Sequence, residues 1–167
     1  MSYKWNNKNL EKSYGFNLEK IDSSNNRFHA IYFLDNLTGS LLLSNKYSNN
    51  AKFSSHEDLI SGFLNALNLF MNEIKPKSEK DEIQEVNFRE SRILYDRIGR
   101  LSVIAITKKT NLQAERVILR QIMEDFYHKF EYAIRNFNGN IDPSILQYKK
   151  RLENLNFNEL YRSNIHF

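Results

Sequence analysis

The most informative stretch of this chain is Leu59-Ile60-Ser61-Gly62-Phe63-Leu64-Asn65-Ala66-Leu67-Asn68-Leu69-Phe70, which predicts an amphipathic helix. At about 100° per residue, its apolar residues other than Leu69 share one broad face, which continues through Ile74. Leu69 lies off this arc, beside Gly62. The helix is predicted to begin at Ser54 or Ser55, because Ser54 and Glu57 have capping-box spacing. It ends by Lys75, since Pro76 disfavours helical geometry in the residue before it.

Short strands are predicted on both sides of this helix. Residues 28–34 and 40–44 form a hairpin around a turn at 35–39, where Asx residues and Gly39 supply backbone freedom. Residues 85–89, 93–98 and 101–106 follow, the last two joined by the turn Gly99-Arg100. Residues 101–106 are apolar almost throughout, which predicts a central strand that is covered on both faces.

Two more helices are predicted after the strands. Thr110 and Gln113 match a capping box, and an apolar stripe runs from Leu119 to Phe137. Asp142-Pro143 starts the next helix, with Asp as N-cap and Pro in the first turn. The predicted domain organisation is a polar N-terminal extension (1–26), one folded domain (27–157) and a C-terminal tail (158–167).

Composition narrows the class of protein. A chain of 167 residues with 41% hydrophobic residues suits one globular domain with a real core. The apolar runs are too short to cross a bilayer, and the first seven residues lack the apolar run of a signal peptide, so a cytoplasmic protein is expected. There is no Cys, which excludes disulfides and thiolate zinc sites.

The sequence offers no set of catalytic, cofactor-binding or metal-binding residues. Its five Gly are isolated, so it lacks the clustered glycines of a phosphate-binding loop. The four His are dispersed and have no second His one helical turn away. Ser61 lies inside a predicted helix, not on the strand-to-helix turn of a hydrolase nucleophile. We therefore expect a protein that is not an enzyme and has no cofactor.

The order β-β-α-β-β-β-α-α, with the phrase 59–67 after a hairpin that turns at Asp35-Asn36-Leu37-Thr38-Gly39, resembles longin-like domains. The resemblance covers about residues 28–157 and is similar in particular to the archaeal branch of the longin and roadblock superfamily. It implies an α+β fold of profilin-like or longin architecture. The five-stranded sheet would be antiparallel, with the first helix on one face and the second and third on the other.

The resemblance also implies a function. Longin-like domains are generally non-catalytic docking platforms in membrane-trafficking and small-GTPase-regulating assemblies, often as homodimers or heterodimers. The expected partners are a small GTPase, another longin or roadblock subunit, or a second copy of this chain, with membrane contact only indirect and no nucleic acid.

Two partner surfaces are predicted. Small residues beside one apolar residue would let another helix approach, which selects Gly62, Asn65, Ala66 and Leu69. An unpaired strand edge would accept a partner strand, which selects Glu85, Asn87 and Arg89. Two alternatives stay open: a small-ligand sensor of PAS or GAF type, and a nucleic-acid-binding protein, the latter suggested only by a net charge of +4 and scattered Lys and Arg.

Overall fold

The computed structural model describes residues 27–47, the single positions 62, 63, 65, 66, 69 and 73, and residues 83–165. The predicted N-terminal extension, most of the predicted helix at 54–75 and the charged loop at 77–82 lie outside the described residues. The strands are β1 (Phe28–Asp35), β2 (Leu41–Lys46), β3 (Glu85–Asn87), β4 (Ser91–Ile98) and β5 (Leu101–Lys108). The helices are α1 (Leu112–Arg135), α2 (Pro143–Glu153) and α3 (Phe157–Ile165), and the six single positions are also helical.

The strands form one antiparallel sheet in the order β2-β1-β5-β4-β3. The predicted fold class is confirmed: the chain has an α+β fold built on a five-stranded antiparallel sheet. β5 is the central strand, and its residues from Leu101 to Thr107 are buried. The two-sided apolarity of this segment therefore indicated its position correctly.

Side chains on both faces of the sheet are buried. On one face, strand residues pack with all three helices, and the aromatic rings of Phe33 and Phe126 lie 4.2 Å apart. On the other face, Tyr32, Ile93 and Ile104 belong to a second buried cluster. The sheet thus has no open face in its centre, as the sequence predicted.

Among the described residues, the turn and cap signals hold with one change, while the predicted cap at Ser54 and the helix end before Pro76 lie outside them. Gly99 turns the β4–β5 hairpin with φ of 55°, and Asp142 caps α2 through its bond from the Ser144 amide, with Pro143 in the first turn. At α1 the N-cap is Asn111, whose Oδ1 accepts from the Ala114 amide, rather than the predicted Thr110. The Thr110 hydroxyl instead donates to the buried carboxylate of Glu115, five residues along, so it does not cap the helix.

α3 adds structure where the sequence predicts only a C-terminal tail. Phe157 stacks on Phe28 with ring centroids 4.8 Å apart, and Tyr161 packs edge-on against the same ring. Both side chains are buried, so the packed fold continues past the predicted end of the domain at residue 157. The helix has nine residues, and a segment this short gives a weak periodic signal.

Candidate interaction surface

The edge strand β3 is shorter than predicted. The Phe88 amide donates to the Ser91 carbonyl at 2.9 Å, which closes a tight turn through Arg89 and Glu90. The strand therefore ends at Asn87, and Arg89 lies in the hairpin turn rather than on the strand. Its side chain is exposed. Glu85 and Asn87 remain on the edge of the sheet, as predicted.

The outward-facing backbone of β3 follows from its hydrogen bonds to β4. Gln84 accepts from the Tyr95 amide at 3.0 Å and Phe88 donates to Ser91, so the even-numbered residues face β4. In an antiparallel ladder the bonding direction alternates from residue to residue. The amide and carbonyl groups of Glu85 and Asn87 therefore point away from the sheet, toward the position of a further strand.

The side chains beside this edge are held in place. Glu85 Oε1 accepts from Arg116 of α1 at 2.9 Å, and its Oε2 lies 3.8 Å from Arg92 of β4. The side-chain amide of Asn87 donates to the same carboxylate at 3.3 Å. Because Glu85 is engaged with α1 on one face of the sheet, its charge does not project over the strand edge. This arrangement has no local signal in the sequence, because Arg116 is 31 residues away from Glu85.

The predicted helical surface is exposed where the structure describes it. Gly62, Asn65, Ala66 and Leu69 are all exposed, and 66% of Leu69 is accessible to solvent. A Cβ placed on Gly62 would meet nothing within 4 Å, which leaves room for close approach. Asn65 differs from the others, because its side chain lies against Gly39 in the β1–β2 turn. That turn needs the positive φ of 74° that glycine adopts without strain.

Two residues predicted on the buried face of this helix are exposed instead. Phe63 is 48% accessible, and Ala66 is also exposed. At about 100° per residue, Ala66 lies at the border of the predicted apolar arc, about 40° from Gly62, whereas Phe63 lies near the middle of the arc. Phe63, Ala66 and Leu69 follow one another at i, i+3 spacing, so together they form an exposed apolar strip.

A cleft of about 530 Å³ lies near the edge strand, between β4 and α1. Leu94 and Asp96 of β4 and Arg116 and Arg120 of α1 contribute to its lining. The two arginines are already ion-paired, Arg116 with Glu85 and Arg120 with Asp96 at 3.0 Å. The cleft therefore offers no uncompensated charge to a small ionic ligand.

Within the described parts of the chain there is no group of three or more His, Asp or Glu side chains that could hold a metal ion. A search of the same residues also finds no helix whose length and apolarity would suffice to cross a bilayer.

Comparisons with known proteins give little guidance. No protein-family model matches the chain, and no curated protein matches it. Among solved structures, the chain is similar to Myxococcus xanthus MglB, with 16% sequence identity, a TM-score of 0.48, and coverage of 68% of this chain and 90% of that one. A likeness at this level establishes neither a family nor a function, and the predicted archaeal branch stays a prediction.

Proposed function

We propose that this chain is a non-catalytic protein-interaction module that dimerises and serves as a platform in a membrane-trafficking-like or small-GTPase-regulating assembly. The observation that carries the proposal is the edge strand β3, whose outward amides and carbonyls at Glu85 and Asn87 have no strand beside them among the described residues. An edge of this kind is a template for another strand. The exposed strip of Phe63, Ala66 and Leu69 supports the same reading, because apolar surface of this kind marks contact sites.

A second copy of β3 fits this edge without charge conflict. If two copies pair antiparallel with Val86 opposite Val86 of the second copy, Glu85 faces Asn87 and four main-chain hydrogen bonds form. A shift that sets Glu85 opposite its own copy would place like charges together and is disfavoured. The favoured register uses all three residues of β3 and extends the sheet across the dimer axis.

The specific role in GTPase regulation is proposed from the resemblance to longin and roadblock domains. The fold supports it only in a general way, since these domains share a five-stranded antiparallel sheet with flanking helices. A platform of this type binds its partner without supplying the chemistry itself. A small-ligand sensor is the second candidate, and the cleft between β4 and α1 is the observation that favours it. Its volume lies within the range typical of ligand sites.

Light scattering at low and high salt tests dimerisation directly. We expect a dimer whose mass does not depend on salt, because backbone pairing and apolar contact are screened little by ions. A monomer at all concentrations and salts would contradict the dimer.

Two proline variants then test the mode of pairing. Asn87→Pro removes an amide that points outward, so the fold should survive and the dimer should weaken. Val86→Pro removes an amide that faces β4, so this control should destabilise the monomer instead. A fully dimeric Asn87→Pro variant would show that β3 is not the interface.

The GTPase role needs its own experiment. The wild-type chain is titrated with purified small GTPases loaded with GDP or with a GTP analogue, and binding is followed by calorimetry. Binding that depends on the nucleotide supports the proposal. Absence of binding to any GTPase, combined with a thermal shift by a small metabolite that Val117→Trp in the cleft lining abolishes without unfolding the chain, would favour the ligand sensor.

A further inference from the structure

Cationic side chains from four segments of the chain lie at one end of the sheet. Arg27 precedes β1, Lys46 ends β2, and Lys108 and Lys109 lie at the end of β5. The antiparallel register brings these positions to the same end, since Ala30 pairs with Lys46 and Ser91 pairs with Lys108. The β3–β4 turn, with Arg89, lies there too. These five cations, Arg27, Lys46, Arg89, Lys108 and Lys109, are called the basic end.

The charges of the basic end are not neutralised by described residues. None of the five cations forms an ion pair with another described side chain. Arg27 stacks over the ring of Tyr161 at 4.5 Å, a contact that positions its charge without cancelling it. Glu90 is the one carboxylate in the β3–β4 turn. By contrast, toward the opposite end Arg100 pairs with Asp35 and Arg120 pairs with Asp96.

The half-buried His29 lies near this end of the sheet, on β1. The pKa of His29 lies below its ordinary value of 6.5, first because partial burial of the ring disfavours its charged form and second because of the charge on Lys108.

The width of the basic end suits contact with a flat surface better than insertion into a groove. The cations lie at the ends of β2, β1 and β5 and in the turn that joins β4 to β3, and at about 4.8 Å between strands a five-stranded sheet is roughly 19 Å wide. Phe88 lies in the same turn as Arg89 and is 49% accessible, so an exposed ring accompanies the charges. Basic side chains with an exposed aromatic ring are typical of proteins that lie on anionic membranes. Both faces of the sheet are buried at its centre, which leaves no aromatic platform for stacking nucleic-acid bases.

We propose that the basic end binds directly to the surface of a membrane that contains anionic phospholipids. The lipid headgroups would neutralise the five cations of the basic end, and the ring of Phe88 would enter the interfacial region. This goes beyond the proposed platform function, for which the sequence predicts only indirect membrane contact. It does not depend on dimerisation, although two copies in one dimer would bind more tightly through avidity.

Sedimentation with vesicles tests the proposal. The full-length wild-type chain is mixed with vesicles of phosphatidylcholine alone and with vesicles of phosphatidylcholine and phosphatidylserine in equal amounts. We expect binding only to the second kind, and we expect it to fall steeply as salt is raised. Binding to neither kind, or equally to both, would overturn the proposal.

A matched pair of variants assigns the binding to this end. Lys108→Gln with Lys109→Gln removes two charges from the basic end, and the vesicle partition coefficient should fall at least about tenfold. Lys129→Gln with Arg135→Gln removes two exposed charges from the distal half of α1 and should change it less than about twofold. Equal losses in the two variants would show that net charge, and not the basic end, attracts the vesicles.

Two further measurements keep the outcomes distinct. Thermal unfolding of both variants checks that they fold as the wild type does. Fluorescence anisotropy with single-stranded RNA and double-stranded DNA uses the same proteins. If Lys108→Gln with Lys109→Gln loses nucleic-acid binding while vesicles are never bound, the partner is a nucleic acid and the membrane proposal is wrong. Light scattering reports the dimer separately, so either proposal can fail alone.

Discussion

Arg100 joins three separate parts of the chain through its contact with Asp35. Its guanidinium donates two hydrogen bonds to the buried carboxylate of Asp35, at the end of β1, and a third to the Phe137 carbonyl at 2.8 Å. The same carboxylate accepts from the amide and hydroxyl of Thr38 in the β1–β2 turn. One ion pair therefore fixes the first hairpin, the β4–β5 turn and the segment after α1 together.

Replacing Arg100 is expected to destabilise the fold strongly. Arg100→Met leaves the buried carboxylate of Asp35 without its counter-charge and should lower the free energy of unfolding by about 2–4 kcal/mol. Arg120→Met is the control, because Arg120 and its partner Asp96 are more exposed, and its cost should stay below about 1 kcal/mol. Urea unfolding measures both values. Equal small losses would show that the Arg100 pair contributes little.

Because of the same ion pair, the folded chain is expected to lose stability in acid. Burial acts to raise the pKa of Asp35, but the hydrogen bonds from Arg100 and Thr38 and the charge of Arg100 outweigh it, so this pKa lies below the ordinary value of 3.8. A carboxylate of this kind stabilises the fold above its ordinary pKa, and the stabilisation is lost as pH falls through the lowered value. Asp35→Asn should flatten this part of the urea-unfolding profile. An unchanged slope in that variant would assign the acid sensitivity to other carboxylates.

Glu115 is expected to show the opposite dependence on pH. It is buried beneath Arg92, Thr107 and Thr110, and burial is the main cause that raises its pKa above the ordinary value of 4.5. Its folded form holds a proton more tightly than its unfolded form, so its contribution to stability falls as pH rises from the ordinary value to the raised one. As pH rises through this range, the free energy of unfolding of the wild type should therefore fall more than that of Glu115→Gln. A difference that is independent of pH would contradict the assignment.

Phe126 is the centre of the aromatic core beneath α1. Its ring lies within 4.2 Å of the Phe33 ring centroid, 4.9 Å of Phe130 and 5.1 Å of Tyr148, centroid to centroid. Phe126→Ala should lower the free energy of unfolding by about 3–5 kcal/mol, because it removes buried apolar area and leaves a cavity. Tyr132→Ala on the same helix, where 82% of the side chain is accessible, should change it by less than about 0.5 kcal/mol. Chemical denaturation of the two variants tests this contrast.

The sequence could predict those parts of the fold that have a local cause. The apolar run ending at Ile106 indicates a central strand, and Gly99 and Asp142-Pro143 mark a turn and a helix start by their own backbone preferences. Asn111 was missed as the N-cap of α1 because Thr110 offers an equally good capping pattern. The choice is made by Glu115, whose carboxylate engages Thr110.

Contacts between distant residues had no signal in the sequence. Arg100 and Asp35 are 65 positions apart, and nothing in either segment points to the other. The five cations of the basic end are likewise scattered along the chain and come together only through strand register. The strand that carries Glu85 and Asn87 could be predicted because alternation along a strand is a local pattern. The ion pair between Glu85 and Arg116 could not, because it depends on how α1 crosses the sheet.

Leu69 offers the most direct test of the helical surface. It is 66% accessible and adjoins Gly62 and Ala66 on the exposed side of the helix, so Leu69→Asp should leave the fold intact while weakening self-association or partner binding by about tenfold or more. Leu146→Asp on α2 is the matched control, since Leu146 is 54% accessible and lies outside both predicted surfaces. Light scattering over a concentration series measures the dimer dissociation constant, and thermal unfolding measures the fold. If Leu69→Asp unfolds the chain, Leu69 supports the core and the helical surface is not an interface. If both variants weaken the dimer equally, the effect comes from added negative charge rather than from this site.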